Sequence, residues 1–230
     1  MAVNPIVDRI RARGHWNIAI RPEPFQPDRV SLDQLEGTIS NAVVRLRGWP
    51  VPYIDPRERR RRGATWIGQD IEAQNVPHRE AWRLFTTGQF THLRVISADA
   101  SERVDSGPPL PEPASPIEVW EILFYLTEIV ELAARLALTD AGGETMTIDA
   151  TLNCGIGRQL IAGMPNRELD GDYQTSISAI RDKRNIARGH LVAESRQVAV
   201  EMSKSILWAF GFHALESVLT EYQQELTSNR

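Results

Sequence analysis

The spacing of apolar residues along the chain predicts two long helices. In SLDQLEGTISNAVVRLRG, residues 31–48, apolar side chains recur at helical spacing and Gly48 supplies a stop. Ser31 and Gln34 have the spacing of a capping box, in which each side chain satisfies a backbone donor at the helix start. SPIEVWEILFYLTEIVELAARLALTDAGG, residues 115–143, is apolar around most of its circumference, so this helix is expected at the centre of the fold. Its polar stripe, predicted to face solvent, consists of Glu118, Glu121, Glu128, Glu131 and Arg135.

Alternation of apolar and polar residues predicts strands. ETMTIDATL, residues 144–152, alternates strictly and is typical of a half-buried strand. EAWRLFTTGQFTHLRVISA, residues 80–98, predicts a hairpin that turns near Thr87 and Gly88. HWNIAIRP and TWIGQDIEA are shorter strand candidates.

The C-terminal region is predicted to be mostly helical. Tyr173, Ile177 and Ile180 follow helical spacing, and two further helices are expected on either side of Gly211. Together with a helix and antiparallel strands in the N-terminal part, this pattern predicts an α+β fold class.

A proline-rich segment divides the chain. Residues 99–116, DASERVDSGPPLPEPASP, contain five prolines and few apolar side chains, which predicts a linker or an exposed loop. The expected organisation is therefore a basic α+β part in residues 1–98 and a second part in residues 117–230, with a central helix, one strand and C-terminal helices. A single composite domain remains the alternative.

Composition is that of an ordinary globular chain, 42% hydrophobic and 24% charged. No apolar run reaches the length of a secretory signal or of a membrane span, and the single cysteine, Cys154, excludes an internal disulfide framework. We therefore expect a cytoplasmic protein that does not span a membrane. No cofactor is indicated: Gly155 and Gly157 precede Arg158 in a predicted turn but lack the spacing of a dinucleotide-binding or phosphate-binding loop. Cys154 is expected to be a small buried side chain.

Charge is distributed unevenly. Residues 1–98 carry 15 Arg and no Lys against 10 acidic residues, a net charge of +5. Residues 99–230 carry 11 basic and 20 acidic residues, a net charge of −9. A basic part favours contact with a polyanion or an acidic partner protein. Docking between the two oppositely charged parts, including between copies in a homo-oligomer, is the alternative.

The strongest concentration of positive charge is PRERRRRG, residues 56–63, predicted to be a loop. Such a loop could neutralise several phosphates, while Trp49, Tyr53 and Trp66 could stack on bases. The alternative is a solvated loop beside core aromatics, with Trp49 and Tyr53 packed at a corner in RLRGWPVPYID, residues 45–55. The candidate nucleic-acid-binding residues are Arg57, Arg59, Arg60, Arg61, Arg62 and Trp66.

Three side chains could form a metal site. His78 and Glu80 lie two residues apart on a possible strand, and His92 could lie across the hairpin. Imidazole and carboxylate ligands can hold a divalent metal. A fourth ligand and a recognised spacing are missing from the sequence, so we do not predict a metal site.

The stretch RDKRNIARGH, residues 181–190, places Arg184 and Asn185 ahead of His190. It resembles the signature of the HEPN superfamily of helical ribonucleases and nucleotide-binding proteins. The resemblance implies metal-independent RNA cleavage across a dimer interface, with Arg184, Asn185 and His190 in the catalytic site. Gly189 departs from the pattern, because in the family a glycine more typically follows the histidine. The alternative is a set of solvated cations near a helix C-terminus, with Gly189 ending the helix.

The arrangement of a helix, the residues RGWP and a strand is similar to that of uncharacterised bacterial proteins, some of which are associated with defence-type operons. Together these features predict a binding or regulatory protein that contacts nucleic acid, a nucleotide or a partner protein, and that could belong to a bacterial defence system. A HEPN-like ribonuclease that acts through Arg184 and His190 is the alternative, so enzymatic activity is left open.

Overall fold

The computed structural model describes residues 5–58, 60–73, 76, 78–100, 116–163 and 168–228. Within these ranges, seven strands form a large antiparallel sheet and three short strands form a second sheet. The strands are β1 (His15–Glu23), β2 (Arg61–Arg62), β3 (Trp66–Glu72), β4 (Arg79–Phe85), β5 (Phe90–Val95), β6 (Ile117–Glu118), β7 (Thr145–Asn153), β8 (Gln159–Ile161), β9 (Tyr173–Gln174) and β10 (Ala179–Ala187). The helices are α1 (Pro5–Arg11), α2 (Leu35–Ala42), α3 (Ser97–Ala100), α4 (Val119–Ala137), α5 (Arg188–Ala193), α6 (Ser195–Trp208) and α7 (Glu216–Ser228). The predicted α+β fold class is confirmed.

The large sheet draws strands from both parts of the chain, in the order β10-β7-β1-β5-β4-β3-β2. The four strand regions predicted from alternation are confirmed as β1, β3, the β4–β5 hairpin and β7. The hairpin turns at Gly88, which has a φ of +80°. A Cβ at this position would lie 2.5 Å from the Ala141 carbonyl oxygen, so both the backbone conformation and the close approach require glycine. Because β1 lies between β5 and β7, the two parts of the chain share one sheet and one hydrophobic core.

The two faces of the large sheet differ. We call the face that carries Trp16, Ile18 and Ile20 of β1 the inner face, because these side chains join the main core with α4. Helices α2, α5, α6 and α7 pack around α4 on that side. On the opposite, outer face, α1 covers only part of β3, β4 and β5, through a small cluster that includes Ile10 and Val95. No helix within the described ranges is both long enough and apolar enough to cross a membrane.

The central helix is confirmed, but its predicted polar stripe is partly buried. Glu128 is fully buried and accepts hydrogen bonds from Arg47 Nε at 2.9 Å and Nη2 at 2.5 Å. Glu121 is also buried and accepts one from the Ser97 backbone N at 2.8 Å. Both carboxylates are compensated by partners distant in sequence, which allows them to face the interior.

The first predicted helix is shorter than expected. Ser31 Oγ donates to Gln34 Oε1 at 2.7 Å, but residues 31–34 form a turn and α2 begins only at Leu35. The helix ends at Ala42 because Val44 pairs with Val51 in a β-bridge, with two backbone bonds of 2.9 Å. Gly48 therefore lies in the corner after the helix. The predicted packing of Trp49 on Tyr53 is confirmed, with ring centroids 4.4 Å apart.

The prediction of helix directly after residue 170 is wrong. Tyr173 lies in β9, and Ile180 lies in β10, the strand at one edge of the large sheet. The described part of residues 117–230 thus contains five strands, β6 to β10, rather than one. The pair of helices around Gly211 is confirmed as α6 and α7, and Gly211 has a φ of +81°.

Two residues of the predicted linker do not form an exposed loop. Asp99 and Ala100 belong to α3 and are buried. Asp99 accepts hydrogen bonds from Arg158 Nη1 at 3.0 Å and Nη2 at 2.8 Å, and neither side chain is exposed. Residues 101–115 of the predicted linker lie outside the described residues.

Candidate functional site

The stretch RDKRN lies on strand β10, so its side chains alternate between the two faces of the sheet. Arg181, Lys183 and Asn185 are exposed on the outer face. Asp182 and Arg184 point to the inner side, where Arg184 Nη1 donates to Glu201 Oε2 on α6 at 2.6 Å. This stretch therefore presents three side chains to solvent on the outer face, while Arg184 on the inner face holds α6.

The residues of the HEPN-like motif lie on two different elements. Arg184 donates to Asp182 at 3.0 Å as well as to Glu201, whereas Asn185 accepts from Thr147 Oγ1 at 2.8 Å on the outer face. His190 lies in α5, and Gly189 stands in the first turn of that helix, so the expectation that Gly189 ends a helix is wrong. Arg184 and Asn185 thus diverge to opposite faces, and the bonds of Arg184 go to two carboxylates.

Strand register connects the exposed basic residues of β10 with the rest of the outer face. Residues that pair directly across an antiparallel sheet share a face. One continuous row of pairs crosses the whole sheet and consists of Lys183, Asp149, Ala19, Thr91, Arg83, Gly68 and Arg61. Cationic side chains thus stand at both ends of the row, Arg83 adds a third cation within it, and the short side chains of Ala19 and Thr91 lie at its middle.

At the β10 end of this row, one carboxylate is shared by several cations. Asp149 Oδ1 and Oδ2 accept from Arg181 Nε at 2.8 Å and Nη2 at 2.7 Å, and Arg21 Nη2 lies 3.9 Å from Oδ2. The hydrogen bond from Arg181, with the charges of Arg181, Arg21 and Lys183, outweighs partial burial and lowers the pKa of Asp149. Asp149 stays ionised, and the cations around it outnumber it.

The same arrangement recurs toward the other edge. Asp70 Oδ1 accepts from Arg83 Nη2 at 2.5 Å, and Asp70 Oδ2 lies 3.1 Å from Arg61 Nη1.

A third carboxylate, Glu72, is also shared by two arginines. Its Oε1 accepts from Arg79 Nε at 2.7 Å, and its Oε2 lies 2.9 Å from Arg9 Nη2 on α1. Each of the carboxylates Asp149, Asp70 and Glu72 is thus contacted by two arginines, so a net positive charge remains around each of them.

The outer face as a whole is cationic. Within the described residues, the outward positions of the seven strands carry six cations against four carboxylates, and α1 adds two cations against one carboxylate, a net charge of +3. The cations are Arg21, Arg61, Arg79, Arg83, Arg181 and Lys183 on the strands and Arg9 and Arg11 on α1; the carboxylates are Glu23, Asp70, Glu72, Asp149 and Asp8. The whole chain has a net charge of −4, so the positive charge is concentrated on this face.

Trp66 contributes to the outer face by holding an arginine. The Arg83 guanidinium lies over the Trp66 ring, 4.7 Å from its centroid. Gly68, beside it on β3, permits this arrangement, because a Cβ there would lie 2.5 Å from Arg83 Cδ and 2.1 Å from the Trp82 carbonyl oxygen. In this arrangement Trp66 positions a cation; stacking of Trp66 on a base stays a prediction.

The arginine-rich loop does not present one row of cations. Arg61 joins the outer face, while Arg60 and Arg62 both pair with Glu36 of α2, Arg62 at 3.0 Å. Arg57 pairs with Asp55 at 3.2 Å and is 81% exposed. Arg59 lies outside the described residues. Of the arginines predicted to bind nucleic acid, the structure brings Arg61 together with the basic residues of other strands.

The three candidate metal ligands meet in the interior as a hydrogen-bonded network. Glu80 is fully buried; its Oε2 lies 2.7 Å from His78 Nε2 and 3.4 Å from His92 Nε2, and its Oε1 accepts from the Tyr53 backbone N at 2.7 Å. The Tyr125 hydroxyl lies 2.9 Å from His92 Nδ1. Burial raises the pKa of Tyr125 well above its ordinary value, so this hydroxyl keeps its proton. Among the described residues, no group of three or more His, Cys, Asp or Glu side chains is placed to hold a metal ion.

The turn after β7 has a structural role. Gly155 and Gly157 have φ values of +79° and +77°, as the predicted tight turn requires. Arg158, which follows them, is fully buried against Asp99. Burial raises the pKa of the Cys154 thiol to about 11, which keeps it protonated and unreactive near neutral pH.

Sequence reasoning missed most of the outer face. Arg21, Arg83 and the pair Arg181 and Lys183 lie far apart in the sequence and share a face only through strand pairing, so the sequence alone does not group them. On β1 the sequence does give a local signal that Arg21 lies on the outer face. Arg21 continues the series of outward positions that alternates with buried Trp16, Ile18 and Ile20. Comparison with known proteins adds no family: no family model, curated protein or solved structure matches the chain.

Proposed function

We propose that the protein binds nucleic acid across the outer face of the large sheet. The observation that supports this proposal most directly is the sharing of Asp149, Asp70 and Glu72, each by at least two cations. A guanidinium has five donors in a planar fork that fits phosphate. Because two arginines share each carboxylate, some of their N–H donors remain available on this face to bind phosphate oxygens.

Shape and exposure support the same function. Arg21, Arg61 and Arg181 have side chains that are 44%, 55% and 59% exposed. Between the cationic ends of the central row lie Ala19 and Thr91, which are short and leave the sheet surface low enough for a phosphate backbone to approach. Contacts of this kind are made to phosphates, so we expect binding with little dependence on base sequence.

The acidic remainder of the molecule orients the ligand. Since the outer face has a net charge of +3 within a total of −4, other surfaces repel a polyanion and this face attracts it. A mononucleotide or an acidic partner protein would use the same cations. An oligonucleotide can contact several strands at once, so its affinity should exceed that of a mononucleotide and rise with its length.

Fluorescence anisotropy of labelled single-stranded and double-stranded oligonucleotides, titrated at several salt concentrations, tests the proposal. The double variant Arg21→Ala, Lys183→Ala removes two cations while the Arg181–Asp149 pair stays intact. We expect weaker binding and a slope of log affinity against log salt that falls by about 2, since each phosphate contact contributes about 0.9.

The matched control is Arg45→Ala, Arg196→Ala, which removes two exposed arginines that lie outside the seven strands and α1. This control should retain the parent affinity and slope. No binding by the parent protein at low salt, or equal losses in both double variants, would refute the proposal. Membership of a bacterial defence system stays a separate prediction, which depends only on the RGWP resemblance.

A further inference from the structure

Strand β10 ends the large sheet, and no strand within the described residues pairs with its outward edge. The backbone groups on that edge can be identified. The Arg188 N donates to Glu144 O at 2.8 Å and the Cys154 N to Ser178 O at 3.0 Å, so even-numbered residues of β10 exchange backbone bonds with β7. The N–H and C=O groups of the odd-numbered residues, from Ala179 to Ala187, therefore point to the free edge.

The sequence of this strand, AIRDKRNIA, is nearly self-complementary about Lys183. If a second copy of the strand runs antiparallel with Lys183 opposite Lys183, Ile180 meets Ile186 and Asp182 meets Arg184, each pair twice. If the second strand is shifted by two residues in one direction, Asp182 lies opposite Asp182 of the other copy. If it is shifted by two residues in the other direction, Arg184 lies opposite Arg184. A slip by one residue would place inward side chains opposite outward ones. The charges thus select one register.

We propose that β10 pairs with β10 of a second copy to form a symmetric dimer. In the selected register the hydrogen-bonded pairs are those of the odd-numbered residues, whose backbone groups point to the free edge. The Asp182–Arg184 pairs then occupy the other positions, where the two backbones and their side chains approach most closely. Backbone geometry and charge complementarity agree on the same alignment, and the same patch serves both copies, as a two-fold interface requires.

The electrostatics of the interface favour this partner. In one chain, Asp182 is bonded to Arg184, which also binds Glu201. In the dimer, two aspartates and two arginines alternate in sign across the junction, so each carboxylate gains a second cation. Charged residues on an edge strand normally prevent indiscriminate pairing. Here the charges of Asp182 and Arg184 disfavour pairing with unrelated strands and permit pairing with β10 of a second copy.

Lys183 opposite Lys183 is the unfavourable contact in this register. Lys183 of each copy lies opposite Asp149 on the neighbouring strand β7 of its own chain. The negative charge of Asp149 reduces the repulsion between the two lysines. The dimer would also join the outer faces of both copies into one continuous surface. Dimerisation is nevertheless measured without nucleic acid, so its outcome is independent of the proposed function.

The mass of the protein in solution, measured by sedimentation equilibrium, tests the dimer. The parent chain of 25.9 kDa should reach twice that mass as its concentration rises. Lys183→Pro removes one outward N–H without removing a bond to β7, and proline is tolerated on edge strands in that position. This variant should remain monomeric, whereas the matched control Lys183→Ala should dimerise.

A charge exchange identifies the register. Asp182→Arg and Arg184→Asp, each alone, place like charges opposite each other and should both be monomeric. An equimolar mixture of the two should dimerise, because each arginine then meets an aspartate. Circular dichroism of each variant checks that it folds. A parent protein that stays monomeric, a dimeric Lys183→Pro variant, or a mixture of folded single variants that stays monomeric would overturn the inference.

Discussion

Substitution of Glu80 gives the sharpest test of how the interior is held together. This carboxylate is fully buried between His78 and His92, and it accepts the backbone N–H of Tyr53 at 2.7 Å. Trp82 Nε1 donates to the carbonyl of Tyr53 at 2.9 Å, so the same corner is bonded to the sheet twice. Replacement of Glu80 leaves buried polar partners in place without their carboxylate.

The expected magnitude follows from that burial. Removing a buried acceptor costs about 1–3 kcal/mol for each donor left unsatisfied, and more where a charge is involved, because the remaining groups keep their desolvation cost. Glu80→Gln preserves the side-chain volume and one acceptor for Tyr53, so we expect it to lower the free energy of unfolding by about 3 kcal/mol. The matched control is Glu72→Gln on the outer face, where the carboxylate is 31% exposed. Surface pairs contribute about 0–1 kcal/mol, so the control should change little.

The pH dependence has a definite sign. Burial by itself raises the pKa of Glu80, but the charge of His92 and the hydrogen bond from His78 outweigh it, so the pKa falls well below its ordinary value of 4.5. A carboxyl group whose pKa is lower in the folded state contributes stability above its unfolded pKa. That contribution is lost as the pH falls through the folded pKa. The parent protein should therefore lose free energy of unfolding below about pH 4.5, and Glu80→Gln should lose less over the same window.

Urea denaturation followed by tryptophan fluorescence, at neutral pH and in a series of acidic buffers, measures both effects. A Glu80→Gln variant as stable as Glu72→Gln at neutral pH would contradict the expected role of Glu80. So would a parallel loss of stability in the parent and Glu80→Gln as the pH is lowered.

Three further predictions concern other parts of the molecule. Arg158→Ala should lower the free energy of unfolding by about 3–5 kcal/mol in the same urea assay, because it leaves the carboxylate of Asp99 buried without a counter-charge, with the Gly14 N–H still donating to it; a loss below about 1 kcal/mol would contradict this. Cys154 should resist a thiol-reactive dye in the native protein and react once urea unfolds it, since burial raises its pKa to about 11; rapid native labelling would show otherwise. Labelled single-stranded RNA should remain intact with the parent protein, because Arg184 is bonded to two carboxylates; cleavage that His190→Ala abolishes would instead support the HEPN-like ribonuclease.

Local pattern alone predicted the elements whose burial is decided by their own residues. Strands β1 and β7 alternate apolar and polar side chains because one face packs on the core, and this period is visible without any partner. The central helix is apolar around most of its surface, which indicates burial in any fold that contains it. The break between α6 and α7 was predictable from Gly211 for the same local reason.

Tertiary structure decided the elements whose inward residues are charged. The sequence of β10 does not indicate a strand, because two of its inward positions hold Asp182 and Arg184, which interrupt the apolar alternation of a strand. Those side chains are tolerated there because Glu201 of α6 lies within hydrogen-bonding distance of Arg184. Glu121 and Glu128 of α4 are buried for the same reason, since Ser97 and Arg47 satisfy them from elsewhere in the chain.

The candidate site depends on tertiary structure in the same way. The sequence by itself determined how many basic residues the chain has and that they are concentrated in its first part, but it did not determine which of them share a surface. Strand pairing brings Arg21, Arg83 and Arg181 to one face, and alternation sends Asp182 and Arg184 to the other. Register fixes the face of every side chain in a sheet, and register is set by contacts between residues far apart in the chain.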